Sequence, residues 1–130
     1  MTYVDGFILQ VTKDKLDQYK TMAEKAGAIW IEHGALSYKE CVMNDVEPEM
    51  PELPEGMPDF KMVTFADMAG AKDGETVLFS FIIFKSREHR DEVNAKVMND
   101  PRMQDICKPD DMPFDPSRMA YGGFKAVVDL

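Results

Sequence analysis

The chain is poor in the residues that build metal and redox sites. Two cysteines, Cys41 and Cys107, and two histidines, His33 and His89, are spread over 130 residues. No C-x-x-C or H-x-x-x-H spacing joins them, so no zinc site is written locally and no metal is expected. Two isolated cysteines suit a reducing compartment rather than a disulfide scaffold. Long apolar runs are missing too. The longest strongly apolar run is Phe81-Ile82-Ile83-Phe84, against the roughly 20 residues of a membrane span. Basic charge is scarce: 15 Lys and Arg stand against 24 Asp and Glu, a formal net charge of −9. Nucleic-acid binders usually show a basic stripe that releases counterions from phosphates. The densest basic segment here, Lys85-Ser86-Arg87-Glu88-His89-Arg90, reads as a solvated helix start. Neither nucleic acid nor an anionic membrane is an expected partner. Glycine-rich phosphate loops, a Ser-His-Asp order and carboxylate–histidine metal clusters are absent from the sequence, and no cofactor is expected. Met1 to Gly6 carry no basic segment and no long apolar one, so the expected location is cytoplasmic.

What is present is a globular composition, 45% apolar and 30% charged. The length suits a single domain, residues 1–130, burying roughly two-thirds of its unfolded surface. Tyr3 to Val11 reads as a strand with Phe7, Leu9 and Val11 on one face and Val4 and Ile8 on the other. Thr12 is placed to cap a helix from Lys13 to His33, whose face is Leu16, Tyr19, Ala23, Ala26, Trp30 and His33. Gly27 interrupts it at a cost of about 1 kcal/mol, which close packing on a sheet would explain. Gly34 suits the left-handed residue after the helix.

Ser37 to Val46 reads as a strand with one wet face or an edge position. Glu47 to Phe60 then holds four of the eight prolines, five acidic residues and no basic one. This excursion reads as a surface loop, or as a lid or partner-contacting arm. Thr64-Phe65-Ala66-Asp67 resembles a capping box opening a short helix to Ala69, ended by Gly70, before a turn at Lys72-Asp73-Gly74. Thr76 to Phe84 is apolar on both faces. Ser86 caps a second helix centred on Val93 and Val97. Asp100-Pro101 stops it and starts another turn. Arg118 to Val128 is the last strand, with Gly122-Gly123 expected to bend or bulge it.

This order is the α+β βαββαβ unit of the ferredoxin-like sandwich: a four-stranded antiparallel sheet with helices on one face. Two helices cover one face only, yet the Thr76–Phe84 strand is apolar on both. A second copy, packed sheet to sheet as a dimeric α/β barrel, would bury the other face. The competing cover is the proline-rich excursion folded back over its own sheet.

Several segments together resemble the YbaA-like family of small bacterial proteins, a domain of unknown function. They are Tyr3-Val4-Asp5-Gly6-Phe7, Ala26-Gly27-Ala28-Ile29-Trp30, Glu32-His33-Gly34-Ala35-Leu36, Glu40-Cys41-Val42, Ser86-Arg87-Glu88-His89-Arg90-Asp91, Asn94-Ala95-Lys96-Val97-Met98, Met112-Pro113-Phe114-Asp115 and Met119-Ala120-Tyr121-Gly122-Gly123-Phe124. The likeness covers nearly the whole chain. It implies a subunit of the dimeric α/β-barrel group, whose members include cofactor-free oxygenases, haem-related enzymes, isomerases and ligand-sensing modules. Some members of the family carry an RNA-related label, signal recognition particle RNA, to which the acidic balance here lends no support. The 47–60 excursion looks longer and richer in Pro and Glu than the family pattern.

The resemblance assigns no function, so each candidate stands on its own chemistry. His33 is the candidate catalytic base, or a ligand contact; the commoner role of a histidine at a helix C-terminus is packing and dipole contact. Trp30, His33, Cys41, Arg118 and Tyr121 are the candidate pocket residues. Their ordinary alternatives are a core anchor for Trp30, a small hydrophobe for Cys41, a surface charge for Arg118 and core packing for Tyr121. His89 is expected on an exposed first turn. Eleven methionines, among them Met43, Met62, Met68, Met98, Met103, Met112 and Met119, line an adaptable pocket or fill gaps. Three functions follow: a homodimer binding a small apolar or amphipathic molecule, a cofactor-independent monooxygenase- or isomerase-like enzyme using His33, or an interaction module using the acidic loop.

Overall fold

The computed structural model describes residues 1–45, 53–58 and 62–130. Most of the 47–60 excursion therefore lies outside the described residues. Residues 53–58 hold a turn in which the Met57 N–H donates to the Pro54 carbonyl at 3.1 Å.

Four strands, β1 (Tyr3–Thr12), β2 (Ser37–Val42), β3 (Glu75–Phe84) and β4 (Ala120–Lys125), form one sheet in the order β2-β3-β1-β4. Every adjacent pair is antiparallel. The two apolar strands, β1 and β3, are central, and the mixed β2 is at an edge, as its wet face predicts. Register follows the alternation: Leu9 opposes Leu78 and Phe7 opposes Ser80, so odd residues of β1 and even residues of β3 share a face.

That face packs on α1 (Leu16–Glu32), α3 (Arg87–Met98) and α4 (Pro101–Ile106). One core cluster joins Ile29 and Trp30 of α1, Ile82 and Phe84 of β3 and Val93 and Val97 of α3. A second joins Leu9, Val11, Tyr19, Ala23 and Leu78. Phe84, Val93 and Val97 are fully enclosed, each contributing about 1.5–3 kcal/mol through burial.

The expected caps largely form. Ser86 accepts the His89 N–H, Asp100 accepts the Arg102 N–H, and Thr64 accepts the Asp67 N–H to open α2 (Phe65–Ala69). Gly34 takes φ +120° just past α1. Three details differ. Thr12 does not cap: its buried hydroxyl has no partner among the described residues. A single 3₁₀ turn, Lys13–Lys15, leads into α1 instead, tied by the Lys13 N–H to the Gly74 carbonyl at 2.9 Å. Gly122 and Gly123 do not bulge; β4 pairs with β1 without interruption. They admit rings instead, since a Cβ on Gly123 would meet Tyr3 and one on Gly122 would lie 3.1 Å from Phe124. His89 is half-buried rather than solvated, its ring edge-on to Phe84 at 6.0 Å and its Nδ1 accepting the Lys85 N–H.

Helices are not confined to one face. Short α2 sits on the other, where buried Gln10 donates to the Ala69 carbonyl at 2.5 Å and Phe65 packs on Phe79 at 6.2 Å. It covers one end of that face. Phe79 and Phe124 stay 45% and 61% exposed there.

Candidate functional site

A cluster of polar side chains lies where α1 crosses β2. Alternation along β2 turns Tyr38, Glu40 and Val42 toward the helix, opposite Ile82, Ser80 and Leu78 of β3. Tyr19 comes down from α1 onto the same spot. Glu40 then accepts three hydroxyl donors: Tyr19 at 2.8 Å and Ser80 on Oε2, and Tyr38 at 2.6 Å on Oε1. Tyr19 and Ser80 are each only 4% exposed. Hydrogen bonds to a charged acceptor contribute about 1.5–3 kcal/mol each, which is how a carboxylate is tolerated in this place.

Gly27 makes room for the arrangement. A Cβ there would stand 2.6 Å from Tyr38 Cδ1, so only glycine lets this ring lie flat against α1. Both phenols are pushed well above the usual tyrosine range, first by burial and then by the negative charge of Glu40. They stay neutral donors throughout the physiological range.

Two cavities meet at this cluster. The outer cleft, about 730 Å³, runs between α1 and the β2 edge past Leu16, Ala23, Gly27, Ile31, Val42 and Leu78. The inner one, about 270 Å³, lies under α1 among Phe7, Trp30, Met22, Met103, Phe114 and Met119. Tyr19, Ala23, Tyr38 and Glu40 line both. The inner cavity also meets Cys107, whose thiol burial pushes up in pKa. The sizes fall within or just below the few hundred to a thousand Å³ of small-molecule sites.

The residues singled out from the sequence are not brought together. Trp30 is buried, edge-on to Phe84 at 6.3 Å, and lines the inner cavity. His33 ends α1, and its Nε2 lies 2.8 Å from Asp100 Oδ2. Asp100 also binds Arg102, whose other partner is Glu32; the Arg102 contact, then that of His33, holds the Asp100 carboxyl far below its usual range. His33 lines neither cavity. Cys41 is exposed on the far face of the sheet, opposite Phe79. Arg118 binds Glu75 through two contacts, 2.7 and 3.0 Å, and the Gly70 carbonyl. Tyr121 sits between Arg90, at 2.8 Å, and buried Asp5, at 3.2 Å, with its ring on Phe7. Burial dominates at Asp5 and raises its pKa despite the Arg90 contact at 2.7 Å.

Glu40, Tyr19, Tyr38 and Ser80 were not singled out in the sequence. The signal was a polar residue in an apolar row: Ser80 between Leu78 and Ile82, and Glu40 between Tyr38 and Val42. Buried polar groups take partners, so two such residues invite the question of who pairs them. Among the described residues, no three His, Cys, Asp or Glu side chains converge as a metal-holding group, and no helix is long and apolar enough to cross a membrane.

Together these features define an α+β protein with a four-stranded antiparallel sheet and a carboxylate at the junction of two cavities. The chain belongs to the family described as "Protein of unknown function (DUF1428)", whose model matches residues 2–116. It is 43% identical over 129 residues to "Uncharacterized protein YbaA" of Escherichia coli (strain K12) and, to the same degree, of Shigella flexneri, covering 99% of each chain. Among solved structures, "De novo designed protein Foldit4" is similar at a TM-score of 0.46 and 9% identity, over 97% of this chain and 99% of that one.

Proposed function

We propose that the protein is a ferredoxin-like subunit that pairs sheet to sheet with a second copy, as in a dimeric α/β barrel, and holds a small amphipathic molecule in the cleft between α1 and β2. The observation that carries the binding reading is the cleft of about 730 Å³, mostly apolar with one hydrogen-bonded carboxylate in its wall. This is the usual make-up of a small-molecule site, an apolar lining with a few convergent polar groups. The strand order supports the fold reading, since β1 and β3 are the two inner strands. The pairing is supported by the face away from α1, where Val4, Ile8, Phe79, Phe81, Ile83 and Phe124 share one surface with Lys39 as the charge of its edge strand. Four strands spaced about 4.8 Å apart make such a face roughly 20 Å across.

Native mass spectrometry of the purified chain tests binding. A retained small molecule, lost when Leu78→Trp fills the cleft, is the expected result; a molecule retained equally by Leu78→Trp would refute it. Light scattering tests pairing: the wild type is expected near twice 14.8 kDa and Phe81→Glu near the single-chain mass. A wild type that scatters as one chain would refute it.

A further inference from the structure

We infer that the cleft selects a molecule with an ammonium group on an apolar body, its N–H donors directed at Glu40. The inference rests on the cleft being a ligand site and adds the class of ligand.

The first support is donor accounting. The hydroxyl protons of Tyr19, Tyr38 and Ser80 all go to Glu40. Their oxygens are left as acceptors, and an ionised carboxylate is acceptor-only with about four lone-pair sites, three now used. This polar wall therefore offers a ligand acceptors and no donors. Alcohols and amides can meet it only with their N–H or O–H side, and a carboxylate cannot meet it at all.

The second support is charge. Among the described residues Glu40 has no Lys, Arg or His within 4.0 Å, unlike Asp5, Glu75 and Asp100. The cleft lining adds Asp17 and Glu24 against a single cation, Lys20. A partly desolvated carboxylate without a counter-charge is costly, and a bound cation relieves that cost. The third support is the remaining lining, Leu16, Ala23, Ile31, Val42 and Leu78, which accommodates an alkyl or aryl body.

Three probes with one aryl body and different heads decide the matter: 2-phenylethylammonium, 2-phenylethanol and 3-phenylpropanoate. Each is titrated at pH 7 into the full-length isotope-labelled chain, following the backbone amides of Gly27, Ala28 and Leu78. The ammonium probe is expected to bind at least ten-fold tighter than the alcohol, with the propanoate weakest. Glu40→Gln is expected to erase the ten-fold preference for the ammonium over the alcohol. The ranking of the three heads on the wild type stands without the variant, should Glu40→Gln fail to fold. Equal binding of the three, or preference for the propanoate, with shifts at these amides overturns the ligand class while the cleft remains a site. Absence of any shift with all three overturns both readings.

Discussion

Replacing Gly27 by alanine isolates what holds the Glu40 cluster in place. In an ordinary helix interior the change is favourable by about 1 kcal/mol. Here the new Cβ would lie 2.6 Å from Tyr38 Cδ1, 2.7 Å from Cε1 and 3.1 Å from Cγ. Non-bonded carbons settle at about 3.5–4.0 Å, so the ring must retreat by about 1 Å. Its hydroxyl, 2.6 Å from Glu40 Oε1, moves with it. Overpacking of this kind costs about 1–3 kcal/mol. The weakened charged hydrogen bond adds about 1 kcal/mol more. After the helix-propensity gain, the net expectation is a loss of about 1–3 kcal/mol. Urea unfolding followed by circular dichroism, at one protein concentration, measures it for wild type, Gly27→Ala, Tyr38→Ala and the double variant. With the ring gone, the sign should reverse: Gly27→Ala in the Tyr38→Ala background should stabilise by up to about 1 kcal/mol. The same loss in both backgrounds would refute the reasoning, because the clash would then lie elsewhere than in the Tyr38 ring.

Burial and the charge of Glu40 raise Tyr19 and Tyr38 above the ordinary value of 10.0, so their stabilisation is present below pH 10 and drains away as pH rises beyond it. Tyr19→Phe should flatten the alkaline loss seen in denaturant titrations from pH 9 to 11; an unchanged slope counts against the network. Glu75 behaves oppositely: Arg118, then the Lys72 N–H, lower its pKa from 4.5 to about 2. Its contribution is present above pH 4.5 and lost as pH falls toward 2, so Glu75→Gln should be less acid-sensitive than wild type over that range, read from the thermal midpoint. In a single chain Cys41 is exposed and Cys107 half-buried with a raised pKa. A thiol reagent should therefore label Cys41 faster on dilution, as sheet-paired copies separate, and Cys107 slowly throughout. A Cys41 rate independent of protein concentration contradicts the pairing.

Much of the fold is legible because its signals are local. Short runs of β-branched and aromatic residues marked β1 and β3, and three-and-four spacing marked α1. Ser86, Thr64 and Asp100 announced their helices through side chains that reach N–H groups two or three residues away. The misreadings have distant causes. Thr12 has the right chemistry for a cap, but the Gly74 carbonyl ties down the chain entering the first turn. Gly122 and Gly123 carry the mark of a bulge, yet what demands them is the rings of Tyr3 and Phe124. The placement of α2 on the far face depends on Gln10, a residue separated from Ala69 by much of the chain.

The candidate site was hidden for the same reason. His33 was visible because histidine is chemically conspicuous, and tertiary packing gave it to Asp100. Glu40 was inconspicuous, one acid among 24 Asp and Glu. By itself the sequence determined the element order, the caps at Thr64, Ser86 and Asp100 and which residues of each strand share a face, since these follow from neighbours a few positions apart. Only the tertiary structure decided that residues 19, 38, 40 and 80 converge. Strand register, the edge position of β2 and the space left by Gly27 bring one carboxylate and three hydroxyls together, and none of those distances is written along the chain.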